Sequence, residues 1–146
     1  MKTNGFLKLG EQLEVVIEQV NAFAVGIAKI HGVTIEVPKT LPKERLLVCL
    51  VKELKPQNTW LAKKVKTLSP SSLRIPSFCE HSDNCQSCSL DFLSYEEQIK
   101  WKEQGIQTNF PQSLFMEPAK NTLQYRNSGQ FFVTINKDNN AFIGNF

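Results

Sequence analysis

The first 69 residues consist of short stretches in which apolar and polar side chains alternate, separated by turn-forming residues at intervals of roughly ten positions. In residues 11–20, for example, Leu13, Val15 and Ile17 fall on one face of an extended chain. Alternation with a period of two predicts half-buried strands. Because no helical period interrupts these strands, this part of the chain predicts a small β structure.

The pattern predicts five strands, at residues 11–20, 27–30, 33–37, 46–51 and 59–67. His31 and Gly32 form the turn of a hairpin between the second and third strands. Pro38 and Pro42 bracket a loop, since proline cannot donate a hydrogen bond to a sheet. Five short strands with tight turns predict an OB-like barrel over residues 1–69, and such barrels commonly hold nucleic acid.

The remainder of the chain has a different pattern. We expect a cysteine-rich metal segment with one helix at residues 70–108, following a linker at 69–72, and an incomplete β domain at 109–146. Ser94 and Glu97 form a capping box, which predicts a helix that ends at about Gly105. Two strands, at 129–135 and 141–146, predict a partial hairpin. Because a lone hairpin is marginal in water, this ending indicates a truncated chain.

Charge is unevenly distributed along the sequence. The net charge is +3, but residues 1–70 carry 11 Lys/Arg against 6 Asp/Glu, whereas residues 71–146 carry 6 against 8. A polyanionic partner would most simply bind the first half, although an ordinary solvated surface gives the same count. No stretch approaches the ~20 apolar residues of a membrane helix, and no signal peptide is evident. We expect a cytoplasmic protein without a membrane partner.

The cysteine segment has the spacing C-x5-C-x2-C, formed by Cys79, Cys85 and Cys88. Clustered thiolates suit zinc or an iron–sulfur cluster, and both prefer four ligands. Cys49 lies in an apolar strand, where a small core residue is expected, and His81 is too close to Cys79 to complete a zinc site without strain. Reduced thiols without metal remain an alternative.

The order of these features resembles a known family. The barrel, with Val20-Asn21, Gly26-Ile27-Ala28 and Val37-Pro38, resembles a TRAM domain. The cysteine segment, the stretch 94–102 and Tyr125-Arg126-Asn127 then follow as in TRAM-containing RNA uracil-5-methyltransferases, especially their 23S ribosomal RNA branch.

The resemblance implies a [4Fe–4S] cluster on Cys79, Cys85 and Cys88, whose fourth cysteine lies beyond residue 146. It also implies S-adenosylmethionine as the methyl donor, bound by a later domain. No G-x-G-x-x-G loop for such a cofactor occurs in these residues, and the chain alone is predicted to be inactive. The implied partner is RNA, most simply ribosomal RNA, with the catalytic domain possible on a separate chain.

Basic and aromatic side chains are the candidate RNA contacts. Lysine and arginine neutralise phosphates, and aromatic rings stack on unpaired bases. Packing in the core is an equally good interpretation of Trp60. Each single lysine can also be explained by its contribution to solubility. A stand-alone RNA-binding module and a small zinc-binding interaction protein remain alternatives for the whole chain. The candidates are Phe23, Lys29, Lys39, Lys43, Arg45, Trp60, Lys63, Lys64, Lys66 and, in the central domain, Arg126.

Overall fold

The structure is a computed structural model, and it describes residues 7–21, 23–55, 57–82, 88–112, 115–123, 128, 132–135 and 139–144. The chain divides into two compact units, Met1–Arg74 and Ile75–Phe146. The mainly β fold predicted from the sequence is confirmed. The predicted boundaries at residues 69 and 108 remain predictions. No helix among the described residues is long and apolar enough to cross a membrane.

The first unit is a curled six-stranded sheet. Its strand order is β1-β5-β6-β4-β3-β2, and within it only the β4–β6 pair is parallel. The strands are β1 (Gln12–Val16), β2 (Gln19–Val20), β3 (Val25–Ile30), β4 (Val33–Pro38), β5 (Arg45–Leu54) and β6 (Thr59–Ser69).

The first predicted strand, at residues 11–20, is divided into β1 and β2 by a bend at Ile17 and Glu18. β1 pairs with β5 and β2 pairs with β3, at opposite edges of the sheet order. At the bend, the Ile17 N–H donates to the Glu44 carbonyl at 2.9 Å and the Glu18 N–H donates to the Ile27 carbonyl at 2.9 Å. Because the bend is so short, the sheet has to curl until its two edges meet there. The predicted count of five strands is therefore wrong by one.

The concave side of the curled sheet holds the core. In β4, Val33, Ile35 and Val37 are buried and alternate with half-exposed residues, as the period-two pattern predicted. Fully burying one such side chain contributes about 1.5–3 kcal/mol. The core consists of Val15, Ile17, Ala28, Val33, Ile35, Val37, Leu46, Val48, Leu50, Trp60 and Ala62.

The hairpin between β3 and β4 is confirmed. Ile30 pairs with Val33, and the two turn residues, His31 and Gly32, have φ of +49° and +81°. Positive φ at both central positions characterises a type I′ turn, whose twist matches that of the flanking strands. Glycine adopts this conformation without strain.

A buried ion pair anchors the loop between β4 and β5. Glu44 is fully buried, and its carboxylate accepts hydrogen bonds from Nε and Nη2 of Arg74. The N–H groups of Leu41 and Ser71 donate to the same carboxylate at 2.9 and 3.4 Å. Arg74 also donates to the Lys39 carbonyl at 2.9 Å. Residues 69–72, which the sequence presents as a linker, are thus partly held against the first unit.

The second unit contains α1 (Tyr95–Asn109) and a hairpin of β7 (Phe132–Ile135) and β8 (Ala141–Gly144). The predicted cap is confirmed, since the Ser94 hydroxyl accepts the Glu97 N–H at 3.3 Å. The helix continues past Gly105, where the sequence predicted its end. An interior glycine costs about 1 kcal/mol but does not stop a helix, whereas Pro111 shortly beyond Asn109 does.

We expect Gly26→Ala to destabilise the first unit by about 1–3 kcal/mol, because an added methyl overpacks the core. A Cβ at this position would overlap Oγ1 of Thr40 and would lie 2.9 Å from Cγ2 of Ile17. Urea denaturation measures the loss. The double variant with Thr40→Ala removes the hydroxyl, so its loss should be smaller than the sum of the single losses. Additive losses would contradict this close approach.

We expect Glu44→Gln to lower the free energy of unfolding by about 3 kcal/mol at neutral pH, because Arg74 then loses its buried partner. Burial raises the pKa of the Glu44 carboxyl, but the hydrogen bonds and charge of Arg74 and the main-chain donors outweigh it, leaving the pKa below the ordinary value of a glutamate. This stabilisation is therefore present above that value and disappears as the pH falls through the lowered pKa. Urea denaturation across this pH range tests it.

Glu14→Gln is the matched control, because Glu14 pairs with Arg45 at the surface, where both side chains are more than half exposed. Its loss should stay below about 1 kcal/mol. Equal losses for the two variants, or a Glu44→Gln loss that persists unchanged at low pH, would contradict the role given to Glu44.

Candidate nucleic-acid interface

The predicted cations of the first unit lie on different elements of the fold. The outer face of β5 and β6 carries Arg45, Lys63 and Lys66, and β3 carries Lys29. Lys39 and Lys43 lie in the loop between β4 and β5. Each location offers phosphates a different geometry.

The lysine run on β6 divides between two faces. Lys63 lies opposite Cys49, and Lys66 lies opposite Leu47, so both exposed lysines share the outer face of the sheet. Lys64 instead lies opposite Val48, whose side chain is buried, and is itself only half-exposed. Register shifts in the β5–β6 pair, including one at Leu47–Val48, break the simple alternation.

Two further cations have distinct surroundings. The Arg45 guanidinium donates to Oε2 of Glu14 from Nη2 at 2.7 Å and from Nε at 3.2 Å. An exposed pair of this kind contributes about 0–1 kcal/mol, so a phosphate can compete for Arg45 at little cost. Lys29 is exposed on β3, opposite Thr34, and β4 separates its strand from β6.

Phe23 is the most exposed aromatic side chain described in the first unit, at 82%. It lies in the turn between β2 and β3. Oδ1 of Asn21 accepts the N–H groups of Phe23 at 2.9 Å and Val25 at 3.1 Å, and the Asn21 carbonyl accepts the Ala24 N–H at 3.0 Å. The backbone beneath the exposed ring is therefore fixed by hydrogen bonds.

The loop with Lys39 and Lys43 lies beside this turn. The Thr40 N–H donates to the Ala24 carbonyl at 3.4 Å, and the Lys43 N–H donates to the Ile17 carbonyl at 2.8 Å. Both lysines have left-handed backbones, with φ of +57° and +67°. We name this region the aromatic–basic end and define it by Phe23, Lys39 and Lys43. The sequence marks all three residues, but only the fold brings them together.

Trp60 belongs to the core. It is 9% exposed, and its neighbour across the β4–β6 pair, Ile35, is fully buried. The ring is thus used in packing, and we leave it out of the RNA-contact set that we propose. Arg126 lies outside the described residues.

The cysteine segment is described in part. Cys79 is half-buried, Cys88 is exposed, and Cys85 lies outside the described residues. Within the described ranges no three His, Cys, Asp or Glu side chains are grouped closely enough to hold a metal ion. The predicted thiols suit a soft metal or cluster in chemical type, but they provide only three of four ligands.

Two residues that the sequence did not single out restrain Cys79. The Cys79 N–H donates to Oγ of Ser77 at 3.1 Å, and the Ser77 hydroxyl donates to Oδ2 of Asp91 at 2.6 Å. Asp91 is 6% exposed, and its Oδ1 has no hydrogen-bond partner within the described part of the chain. A buried carboxylate oxygen without a donor is costly and indicates a place where a further donor or ligand fits. The separation of 14 residues between Ser77 and Asp91 hid this contact from sequence reasoning.

Cys49 corrects a sequence expectation. Its neighbours Val48 and Leu50 are buried, so Cys49 lies on the opposite face of β5 and is half-buried rather than in the core. The continuous apolar run concealed which residues face inward. Cys49 lies between Gln12 and Lys63 on the outer face.

Comparison with known proteins shows that the chain is related to RNA methyltransferases. No family model matches. An uncharacterized RNA methyltransferase of Caldanaerobacter subterraneus is 32% identical over 134 residues, covering 87% of this chain and 29% of that protein. The 23S rRNA (uracil(1939)-C(5))-methyltransferase of Shewanella baltica is 31% identical over 105 residues, covering 72% and 23%. The chain thus spans less than a third of these relatives' length.

A solved structure shares the fold. The tRNA (uracil-54, C5)-methyltransferase of Pyrococcus abyssi, in complex with S-adenosyl-L-homocysteine, superposes with a TM-score of 0.57 at 23% identity. The match covers 90% of this chain and 28% of that one. The chain is therefore homologous to RNA methyltransferases, and it matches the N-terminal part of their sequences.

Proposed function

We propose that this chain is the RNA-holding portion of a cytoplasmic, S-adenosylmethionine-dependent RNA uracil-C5 methyltransferase that acts on ribosomal RNA. The observation that carries the proposal is the similarity to the Shewanella baltica 23S rRNA enzyme over 72% of the chain. The curled sheet takes the role of the TRAM barrel that the sequence resembles.

The charge distribution supports RNA as the ligand. Lys63 and Lys66 point outward from one face of the sheet, and Lys43 is exposed at the aromatic–basic end. Each lysine that replaces counterions at a phosphate strengthens binding without choosing a sequence. A sheet with such contacts holds folded RNA in place while selection of the target uridine occurs elsewhere.

Binding of RNA and methyl transfer are assigned to different parts of the enzyme. An enzyme that modifies a base has to take that base out of its stack before reaction. The first unit contributes affinity and orientation to this step. The methyl donor and the catalytic groups belong to another part of the enzyme, on the same longer polypeptide or on a separate chain.

We further propose that Cys79, Cys85 and Cys88 hold a [4Fe–4S] cluster that braces the protein. Their spacing supports this assignment, as does the restraint of the Cys79 main chain by Ser77 and Asp91. A cluster prefers four ligands, so the fourth has to come from outside the three thiols. Such a cluster would stabilise the segment and would not take part in methyl transfer.

We expect the double variant Lys63→Ala/Lys66→Ala to bind RNA about tenfold more weakly at moderate salt and to reduce the salt dependence of binding. Each phosphate contact removed lowers the slope of log K against log salt by about 1. Titration of a ribosomal RNA hairpin at several salt concentrations measures both quantities. The control is Lys8→Ala/Lys55→Ala, which removes the same charge from two exposed lysines outside the proposed contact set. If both double variants lose the same RNA affinity, the loss comes from net charge alone and contradicts a specific contact at Lys63 and Lys66.

We expect the chain purified without oxygen to contain iron and acid-labile sulfide, and the triple variant Cys79→Ser/Cys85→Ser/Cys88→Ser to contain neither. Thiolates bind the iron, and serine replaces them poorly. Elemental analysis for iron, sulfide and zinc makes the measurement, with Cys49→Ser as the control that should retain the cluster. Zinc alone, or no metal, would reject the cluster and leave the RNA-binding role to be judged by the salt titrations.

A further inference from the structure

We propose that the aromatic–basic end binds an unpaired nucleotide of RNA, with its base stacked on the ring of Phe23 and its phosphates near Lys43 and Lys39. This inference rests on the proposed function and assigns it a specific site. It concerns the end of the curled sheet, not the outer face that carries Lys63 and Lys66.

Exposure alone does not distinguish Phe23, because single exposed apolar side chains are common on protein surfaces. Its backbone does. Oδ1 of Asn21 accepts two N–H groups of the turn, and the next residue, Ala24, is fully buried with a φ of +59°. The ring is therefore 82% exposed on an anchored backbone. A fixed platform loses little freedom when a base stacks on it, which favours binding.

The neighbouring loop supplies charge of the required sign. The bond from the Thr40 N–H to the Ala24 carbonyl holds this loop beside the turn, and the Lys43 side chain is exposed. The acidic residue of the loop, Glu44, is fully buried and neutralised by Arg74. The loop thus presents Lys43 outward, while its carboxylate is withdrawn from any phosphate.

The chemistry of the site predicts what it selects. Stacking on a phenylalanine ring requires a base whose face is open, and it depends little on which base is offered. A duplex covers its base faces by stacking, so it offers only phosphates. The site should therefore prefer single-stranded over double-stranded RNA and show little sequence preference.

The test measures binding of the full chain to a fluorescently labelled oligouridylate and to a duplex RNA of equal length. Loss of the stacking ring in Phe23→Ala or Phe23→Leu should weaken oligouridylate binding about tenfold, with the salt slope unchanged. Duplex binding should stay within about twofold, since phosphate contacts remain. Phe23→Trp should retain affinity, whereas Lys43→Ala should lower both affinity and salt slope.

Phe78→Ala is the matched control, because Phe78 is 68% exposed and belongs to the second unit. The Phe78→Ala variant should bind oligouridylate with the same affinity as the original chain. The midpoint of urea denaturation checks that each variant folds. Oligouridylate binding by Phe23→Leu at the original affinity would overturn the site while leaving the proposed function intact. Equal weakening of duplex and single strand would also overturn it. An original chain that binds neither RNA would overturn the proposed function itself.

Discussion

The carboxylate and carbonyl of Glu44 join three segments of chain on which the curled sheet depends. Its carbonyl accepts a hydrogen bond from the Ile17 N–H at the bend between β1 and β2. Its carboxylate accepts a hydrogen bond from the guanidinium of Arg74, which follows β6 in the chain. The bend is where the two edges of the sheet meet. Burying a carboxylate is costly unless it is paired and hydrogen-bonded, and for Glu44 the partners are Arg74 and the N–H groups of Leu41 and Ser71.

The same interaction determines the character of the surface above it. Because Glu44 is turned inward, the loop that contains it exposes Lys43 and withdraws its own carboxylate from the surface. Hydrogen bonds from this loop to Ile17 and Ala24 fix its place relative to the Phe23 turn. Stability and surface chemistry are therefore coupled at this end, because a weakened Glu44–Arg74 pair would loosen the residues proposed to contact RNA.

The alternation of apolar residues predicted much of this fold, since the burial of Val33, Ile35 and Val37 follows from local periodicity. It could not reveal the bend at Ile17, because a strand that changes its pairing partner keeps the same alternation. The separation of Lys64 from Lys63 depends on register shifts against β5. The pairing of Glu44 with Arg74 spans 30 residues and leaves no local signal. Contacts set by distant chain segments were therefore the ones that sequence reasoning missed.

Two kinds of contact on one sheet would have different effects on RNA recognition. Under the proposed function, the outward lysines on the β5–β6 face would attract any polyanion and confer salt-sensitive affinity. The anchored ring of Phe23 would instead distinguish an open base from a paired one. Because an RNA-modifying enzyme needs its target base unstacked, a holding surface that favours locally unpaired RNA would lower the cost of extruding that base. The placement of the ring at the end of the sheet, apart from the lysine face, allows both kinds of contact to be made at once by a folded RNA with a short single-stranded segment.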